Sequence, residues 1–262
     1  MQALYRHSPR YTALAVFLAV AMVPVLGAMA LDTRQFQGID VWVKPMKFLV
    51  SLTVYLLTLA WMARFADPRV TSHGWWRWHE RAVVAAILAE MAWIGGAAAH
   101  GVGSHFNEDT PAMARVYSLM GVAALLLTSA TATLAWAIHR RASGPLSPAV
   151  KSGLVWGLTL TLPLTLITAG TLSDHGSHWI GGTPSDAAGL RGMGWSRDGG
   201  DLRVSHFFAT HAMHAIPLAA WGLSRWLGPS ALGAVRACAI LYAVFVLATF
   251  AQALMGMRFL PV

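Results

Sequence analysis

The sequence predicts an all-α, polytopic integral membrane protein with seven transmembrane helices, and three observations lead there. Apolar residues fill 56% of the 262 positions and charged residues only 11%, less than half of the roughly 25% that a water-soluble domain carries. Mean hydropathy is +0.54. The apolar residues come in runs of about 20, the length a helix needs to cross the hydrocarbon core, and not in the ~10-residue alternating segments of a membrane barrel. A soluble globular fold and a disordered chain are excluded on the same grounds.

Taken in order, the expected spans are 11–31, 45–65, 82–102, 112–138, 150–172, 206–226 and 232–255. No linker is long enough to divide the chain, so residues 1–262 are expected to form one helical bundle. The first run follows Arg6 and Arg10 and ends in Gly27-Ala28-Met29-Ala30, which has the small residues of a signal-peptidase site. It is long for a signal peptide and reads as a retained span, with cleavage as the alternative. The single cysteine, Cys238, excludes an internal disulfide and a cysteine-based zinc site.

Orientation follows from lysine and arginine placement. With the N-terminus cytoplasmic, the inner segments hold Arg6, Arg10, Arg64, Arg69, Arg77, Arg81, Arg140, Arg141, Lys151, Arg225 and Arg236. The outer ones hold Arg34, Lys44, Lys47, Arg115, Arg191, Arg197, Arg203 and Arg258. Most carboxylates fall outside, so the expected topology is N-terminus in and C-terminus out. The formal net charge of +8 then belongs beside anionic headgroups and does not imply nucleic acid. Trp61, Trp75, Trp76, Trp78, Trp136, Trp156, Trp221 and Trp226 read as one interfacial belt, with Trp42, Trp179 and Trp195 at the opposite interface.

Within the spans, Thr128, Ser129, Thr131, Thr133, Thr159, Thr161, Thr165 and Thr168 are expected to bond backbone carbonyls or neighbouring helices. Gly95-Gly96-Ala97-Ala98-Ala99 reads as a close-packing surface. Histidine carries the chemical signal. Seven of the 11 histidines, His100, His105, His175, His178, His206, His211 and His214, fall on the outer half. At ~100° per residue, His214 lies about 80° and His211 about 140° from His206, so all three share one broad face. If the third, fifth and sixth spans are neighbours, the other four meet them at the rim. Ionisable groups in a bilayer are costly and tend to be functional. His7, His73, His79 and His139 lie among arginines on the inner side and read as structural.

The stretch 173–204 is the longest polar segment and reads as an ordered outer lid, because loops beyond ~15 residues are usually functional or disordered. Trp179, Ile180, Leu190, Met193 and Trp195 are available to pack it. Asp198 or Asp201 caps the sixth helix or serves as an oxygen ligand or a partner to a histidine. Lys44 and Lys47 flank Pro45 and either snorkel or, with Arg203 and beside Trp195, hold an anion such as haem propionates or a lipid headgroup. Glu90, near mid-span in the third helix, is a candidate partner of His214 in structural pairing or a proton path.

These residues leave three function classes open. One is a membrane metalloprotein with redox or hydrolytic chemistry at the outer interface, its iron, copper or zinc bound by imidazoles from the seven outer histidines with Asp201. A second is a haem b cytochrome exchanging electrons with quinone or a periplasmic redox partner, which typically takes one axial histidine from each of two helices, here His105 or His178 with His206 or His211. The third is a proton-coupled transporter or channel using Glu90 and the histidines as a relay. The last span has no lysine for a retinal Schiff base. His100–His105 and His206–His211 have HxxxxH spacing, but the HxxHH box of di-iron membrane desaturases is missing. A bacterial inner membrane is the expected location.

Overall fold

The computed structural model describes residues 2–260. Helices dominate, as an environment without water requires, because each backbone N–H and C=O must find its partner within the chain. Six stretches are long and apolar enough to cross a membrane: Pro9–Leu31, Val43–Phe65, Gly74–His100, Pro111–Arg140, Pro148–Asp174 and Leu202–Leu254. This fits an all-α integral membrane protein. The two last expected spans, 206–226 and 232–255, fall together on the single 53-residue stretch Leu202–Leu254, the second running one residue past its end. The chain divides into two compact units, Met1–Ala130 and Thr131–Val262.

The first unit begins with α1 (Gln2–His7) and α2 (Pro9–Leu31), and a two-stranded hairpin, β1 (Gln35–Phe36) with β2 (Ile39–Asp40), leads into α3 (Val43–Met62). Gln37 and Gly38 both have positive φ, 55° and 84°, the geometry of a two-residue hairpin turn whose twist matches its strands. A 3-10 turn at Ala63–Phe65 and a short α4 (Pro68–Thr71) precede α5 (Gly74–His100). α2 packs on α3, and α5 lies against both. Ser8 Oγ donates to Glu80 Oε1 at 2.9 Å and Arg10 Nη1 to Glu80 Oε2 at 2.7 Å, fixing the start of α2 to the start of α5. At its other end α5 stops at Gly101, whose φ of 69° suits glycine. There Gly101 N–H donates to the Ala98 carbonyl and Val102 N–H to that of Ala97, satisfying two terminal acceptors.

α5 starts eight residues before the expected span because Trp75, Trp76, Trp78, Arg77 and Glu80 are helical yet too polar to count as hydrocarbon-spanning sequence. The unit boundary falls within α6 (Pro111–Arg140).

The second unit is built on α7 (Pro148–Asp174), α8 (Leu202–Leu227) and α9 (Ala231–Leu254), with β3 (Trp179–Ile180) paired antiparallel to β4 (Gly200–Asp201). α7 and α8 run antiparallel along one close seam. A Cβ on Gly153 would overlap Ala220 Cβ, and one on Gly157 would stand 2.7 Å from Pro217 Cδ and 2.9 Å from the Ala212 carbonyl oxygen. Gly153 and Gly157 form a GxxxG pattern, which lets backbones approach where lipid offers no hydrophobic drive. Further along, Leu164 meets Ala209 and Val246 of α9. Ala212 and Ile216 pack on Ala239, and Ala220 on Ala231 and Val235, so α8 and α9 form an antiparallel pair.

Two expectations change here. Gly95 and Gly96 are not a close-packing surface, since a Cβ on either would meet nothing within 4 Å. Only Ala97 and Ala98 of that run are buried. Trp179 and Trp195 are not belt residues, each being 8% exposed, with Trp195 packed on Phe207, Phe208 and Phe259 and Trp179 against His178. His79, read as structural, is hydrogen-bonded: its Nε2 lies 2.8 Å from Ser129 Oγ, which itself donates to the Leu126 carbonyl. The hydroxyl expectation holds at Thr128, Ser129, Thr161 and Thr168, each bonded to a carbonyl three or four residues back.

Gly153→Ala is expected to destabilise by ~1–3 kcal/mol through overpacking against Ala220. Gly95→Ala should stabilise by about 0.5–1 kcal/mol by removing helical glycine freedom. Thermal unfolding of the two variants in one detergent checks this, and equal shifts would place the seam elsewhere.

Candidate functional site

The polar residues of the second unit gather at the end where the segment after α7 folds over the start of α8. Asp201 is the hinge of this arrangement. Its Oδ1 caps α8 by accepting from Arg203 N at 3.0 Å. The same carboxylate accepts from Arg203 Nε at 3.0 Å, from Arg203 Nη2 at 2.7 Å and, on Oδ2, from Ser196 N at 2.9 Å. Asp198 is not the cap. It is exposed, and it accepts from Thr183 N, Thr183 Oγ1 and Ser196 Oγ, which hold its carboxyl below the usual range.

Arg203 is enclosed by acceptors. Besides Asp201, its guanidinium donates to Asp186 Oδ2 at 2.9 Å, Asp186 Oδ1 at 2.8 Å and the Gly194 carbonyl at 2.7 Å. Its charge is met by two buried carboxylates. Asp186 also faces His178, with Nε2 3.4 Å from Oδ1. Burial pushes Asp186 up, but the hydrogen bonds from His178 and Arg203 outweigh it and hold the carboxyl at about 2. Burial lowers His178 below the ordinary imidazole range despite that neighbour. The His178 ring lies 3.8 Å, centroid to centroid, from Trp179, and its carbonyl accepts from Leu202 N at the first residue of α8.

Trp195 anchors the middle of the segment, with ring centroids 5.4 Å from Phe207, 6.1 Å from Phe208 and 5.7 Å from Phe259. Gly200 lies so close to the Ala253 carbonyl of α9 that no side chain fits there. These contacts make the segment an ordered cover on the ends of α8 and α9.

Beneath that cover α8 presents its histidines. His211 Nδ1 is 2.7 Å from the Phe207 carbonyl oxygen. A carbonyl only accepts, so Nδ1 carries the proton, and in the neutral ring Nε2 carries the lone pair. The ring stacks on Phe207 at 4.0 Å and lies 5.3 Å from the ring of His214. His206 Nδ1 is 3.3 Å from Thr168 Oγ1, whose own proton goes to the Leu164 carbonyl at 2.9 Å. His206 Nδ1–H is therefore the donor, and its Nε2 is also the basic nitrogen. The two imidazoles have the same tautomer, fixed by different elements.

His175 is exposed, with Nδ1 donating to the Ser177 carbonyl at 3.2 Å. In the first unit His100 is exposed on the last turn of α5. His105 Nδ1 lies 3.1 Å from Ser104 Oγ, its ring among Phe48, Phe106 and Tyr117. Lys44 and Lys47 occupy the start of α3, both half-buried, and Glu90 is buried within α5. Among the described residues of either unit, no three of His, Cys, Asp and Glu are grouped so as to hold a metal ion. Asp186 was not a sequence candidate. It binds Arg203, 17 positions further on, a separation that no helical or strand period marks.

Comparison with protein-family models, curated proteins and solved structures gives no match to this chain.

Arg203→Ala is expected to leave Asp186 and Asp201 facing each other without a cation, loosening the cover by ~1–3 kcal/mol. Arg203→Lys should restore only part, because an ammonium cannot span both carboxylates. Hydrogen exchange over residues 175–201 reads this directly. The same measurement carries a pH dependence. His178, lowered in the folded state, contributes stability that is full above about pH 6.5 and lost as pH falls through its folded value. Asp186 contributes above its unfolded value of 3.8 and loses that contribution as pH falls through about 2. Protection of the segment should therefore decline on acidification below about pH 6.5. Protection independent of pH from 7 to 4 would overturn the assignment.

Proposed function

We propose that this chain is a seven-helix protein of a bacterial inner membrane, N-terminus cytoplasmic and C-terminus outside, that binds a redox-active centre through imidazoles of α8. The separate lengths of α8 and α9, 26 and 24 residues, support seven crossings. So does the break at Gly228, whose φ of 55° ends α8 and lets the chain reverse. The arginines at 64, 69, 77, 81, 140, 141, 225 and 236, all on segments of one side in this topology, support the orientation.

The observation that carries the functional reading is the tautomer shared by His206 and His211. A ligating imidazole almost always donates its other ring N–H to a carbonyl, carboxylate or water, which orients the ring and raises the basicity of the free nitrogen. The Phe207 carbonyl does this for His211 at 2.7 Å and the Thr168 hydroxyl does it for His206 at 3.3 Å. Haem b is the form of centre favoured over a bare iron, copper or zinc ion. Haem iron needs one or two axial side chains, whereas an ion held by the protein alone asks for three or more. A haem supplies one-electron chemistry when bound. The chain's own residues would hold such a group through Nε2 of His211 or His206, with Phe207 stacked on the His211 ring and the Trp195 cover keeping water from the end of α8. Electron exchange with quinone or a periplasmic partner, as a membrane oxidoreductase, follows from that role. The second reading is a proton relay, favoured by the 5.3 Å spacing of the His211 and His214 rings.

Purified protein should show a Soret band and bound iron, lost or shifted in His211→Ala and unchanged in His73→Ala. Metal without a Soret band would favour a non-haem centre, and neither would favour the relay. Reporter fusions after Leu31, His105 and Val204 should read periplasmic, and a cytoplasmic signal after Val204 would invert the orientation.

A further inference from the structure

One end of the first unit concentrates cations without concentrating partners for them. α1 packs against α2, α3 and the 3-10 turn at Ala63–Phe65, and α4 packs against α5. The Arg10–Glu80 pair at 2.7 Å holds the start of α2 at the start of α5. Arg6, Arg64, Arg69, Arg77 and Arg81 are all exposed at this end. Among the described residues, none of the five forms an ion pair. The two carboxylates here are used elsewhere: Glu80 by Arg10 and Ser8, and Asp67 as the N-cap of α4.

The arginines are also set at a defined depth. The Arg64 guanidinium lies 4.1 Å over the Trp61 ring and 4.5 Å over Phe65, and that of Arg81 lies 5.1 Å over Trp78. Trp61, Trp75 and Trp78 are themselves exposed, and such rings favour the headgroup level of a bilayer. A cation on the face of an interfacial indole stands where the lipid phosphates are. Guanidinium also binds phosphate oxygens in pairs.

We infer that this end of the first unit is a docking surface for anionic phospholipid headgroups, with Arg64 and Arg81 as its aromatic-backed phosphate contacts. Charge complementarity selects the occupant. Five unpaired guanidiniums beside exposed tryptophans match a leaflet bearing phosphodiester anions, while a zwitterionic headgroup brings an ammonium that they repel. The surface is independent of the histidine site, which lies in the other unit.

Native mass spectrometry of the full chain in detergent tests this with phosphatidylglycerol and phosphatidylcholine of identical acyl chains. Phosphatidylglycerol should bind more tightly, with the preference shrinking as salt rises. Each arginine near a charged surface contributes about fivefold in affinity, so R64Q/R81Q should weaken phosphatidylglycerol binding by roughly 25-fold and leave phosphatidylcholine unchanged. Both side chains are exposed, and circular dichroism with the thermal midpoint verifies that the fold survives. R64K/R81K should retain binding more nearly than the glutamine pair. R191Q in the other unit should bind as the unmodified chain does. Glycerol phosphate without acyl chains should compete only weakly, and full competition by it would mean a soluble phosphate site instead. Equal affinity for the two lipids, or unchanged phosphatidylglycerol binding in R64Q/R81Q, overturns the inference.

Discussion

Hydrocarbon cannot accept or donate a hydrogen bond, and that one deficiency organises most of this molecule. Backbone groups turn inward into helices, and hydroxyls follow. Thr12 donates to the Ser8 carbonyl just before its helix, and Thr58 to Val54, Thr161 to Gly157 and Thr168 to Leu164 within theirs. A carboxylate is harder to satisfy. Glu80, buried at the start of α5, receives both a hydroxyl and a guanidinium.

The same deficiency removes the hydrophobic drive between helices, so close packing has to replace it. The seam between α7 and α8 does this from Gly153 and Gly157 onward, and it sets the register of the site. Fifteen residues separate Gly153 from Thr168 on α7, about 22 Å of rise, and fourteen separate Ala220 from His206 on α8. Contact at the glycines thus brings Thr168 opposite His206 at the far end. The hydroxyl that fixes the His206 tautomer is positioned by two glycines some four turns away. Pro217, whose ring lies against Gly157, belongs to the same seam.

What the sequence made legible was whatever a period or a local rule expresses. The shared face of His206, His211 and His214 follows from helix angles, and the Asp201 cap from an acid just before a helix start. The seam was less legible than it ought to have been. Gly95-Gly96 and Gly153-x-x-x-Gly157 are similar in composition, and what differs is which face meets a neighbour. Trp179 and Trp195 were misplaced for a related reason, since an indole suits both an interface and a buried core. Asp186 was not legible at all. Its bond to Arg203 ties an irregular segment to the first turn of α8, a pairing to which no spacing rule applies.

The cover and the histidine face are mechanically one object, and Arg203 is the link. Arg203, Asp186 and Asp201 together carry one net negative charge when His178 is neutral, so an arriving propionate or phosphate would meet a cluster already rich in carboxylate. That balance argues against an anion-binding role for Arg203 and for a positioning one. Its guanidinium holds Asp201, Asp201 caps the first turn of α8, and the His178 carbonyl receives the N–H of Leu202 on that same turn. His206 stands one turn further along. Loosening the network therefore frees the turn that aims His206, and the stability of the cover becomes a control on the geometry of the imidazoles beneath it.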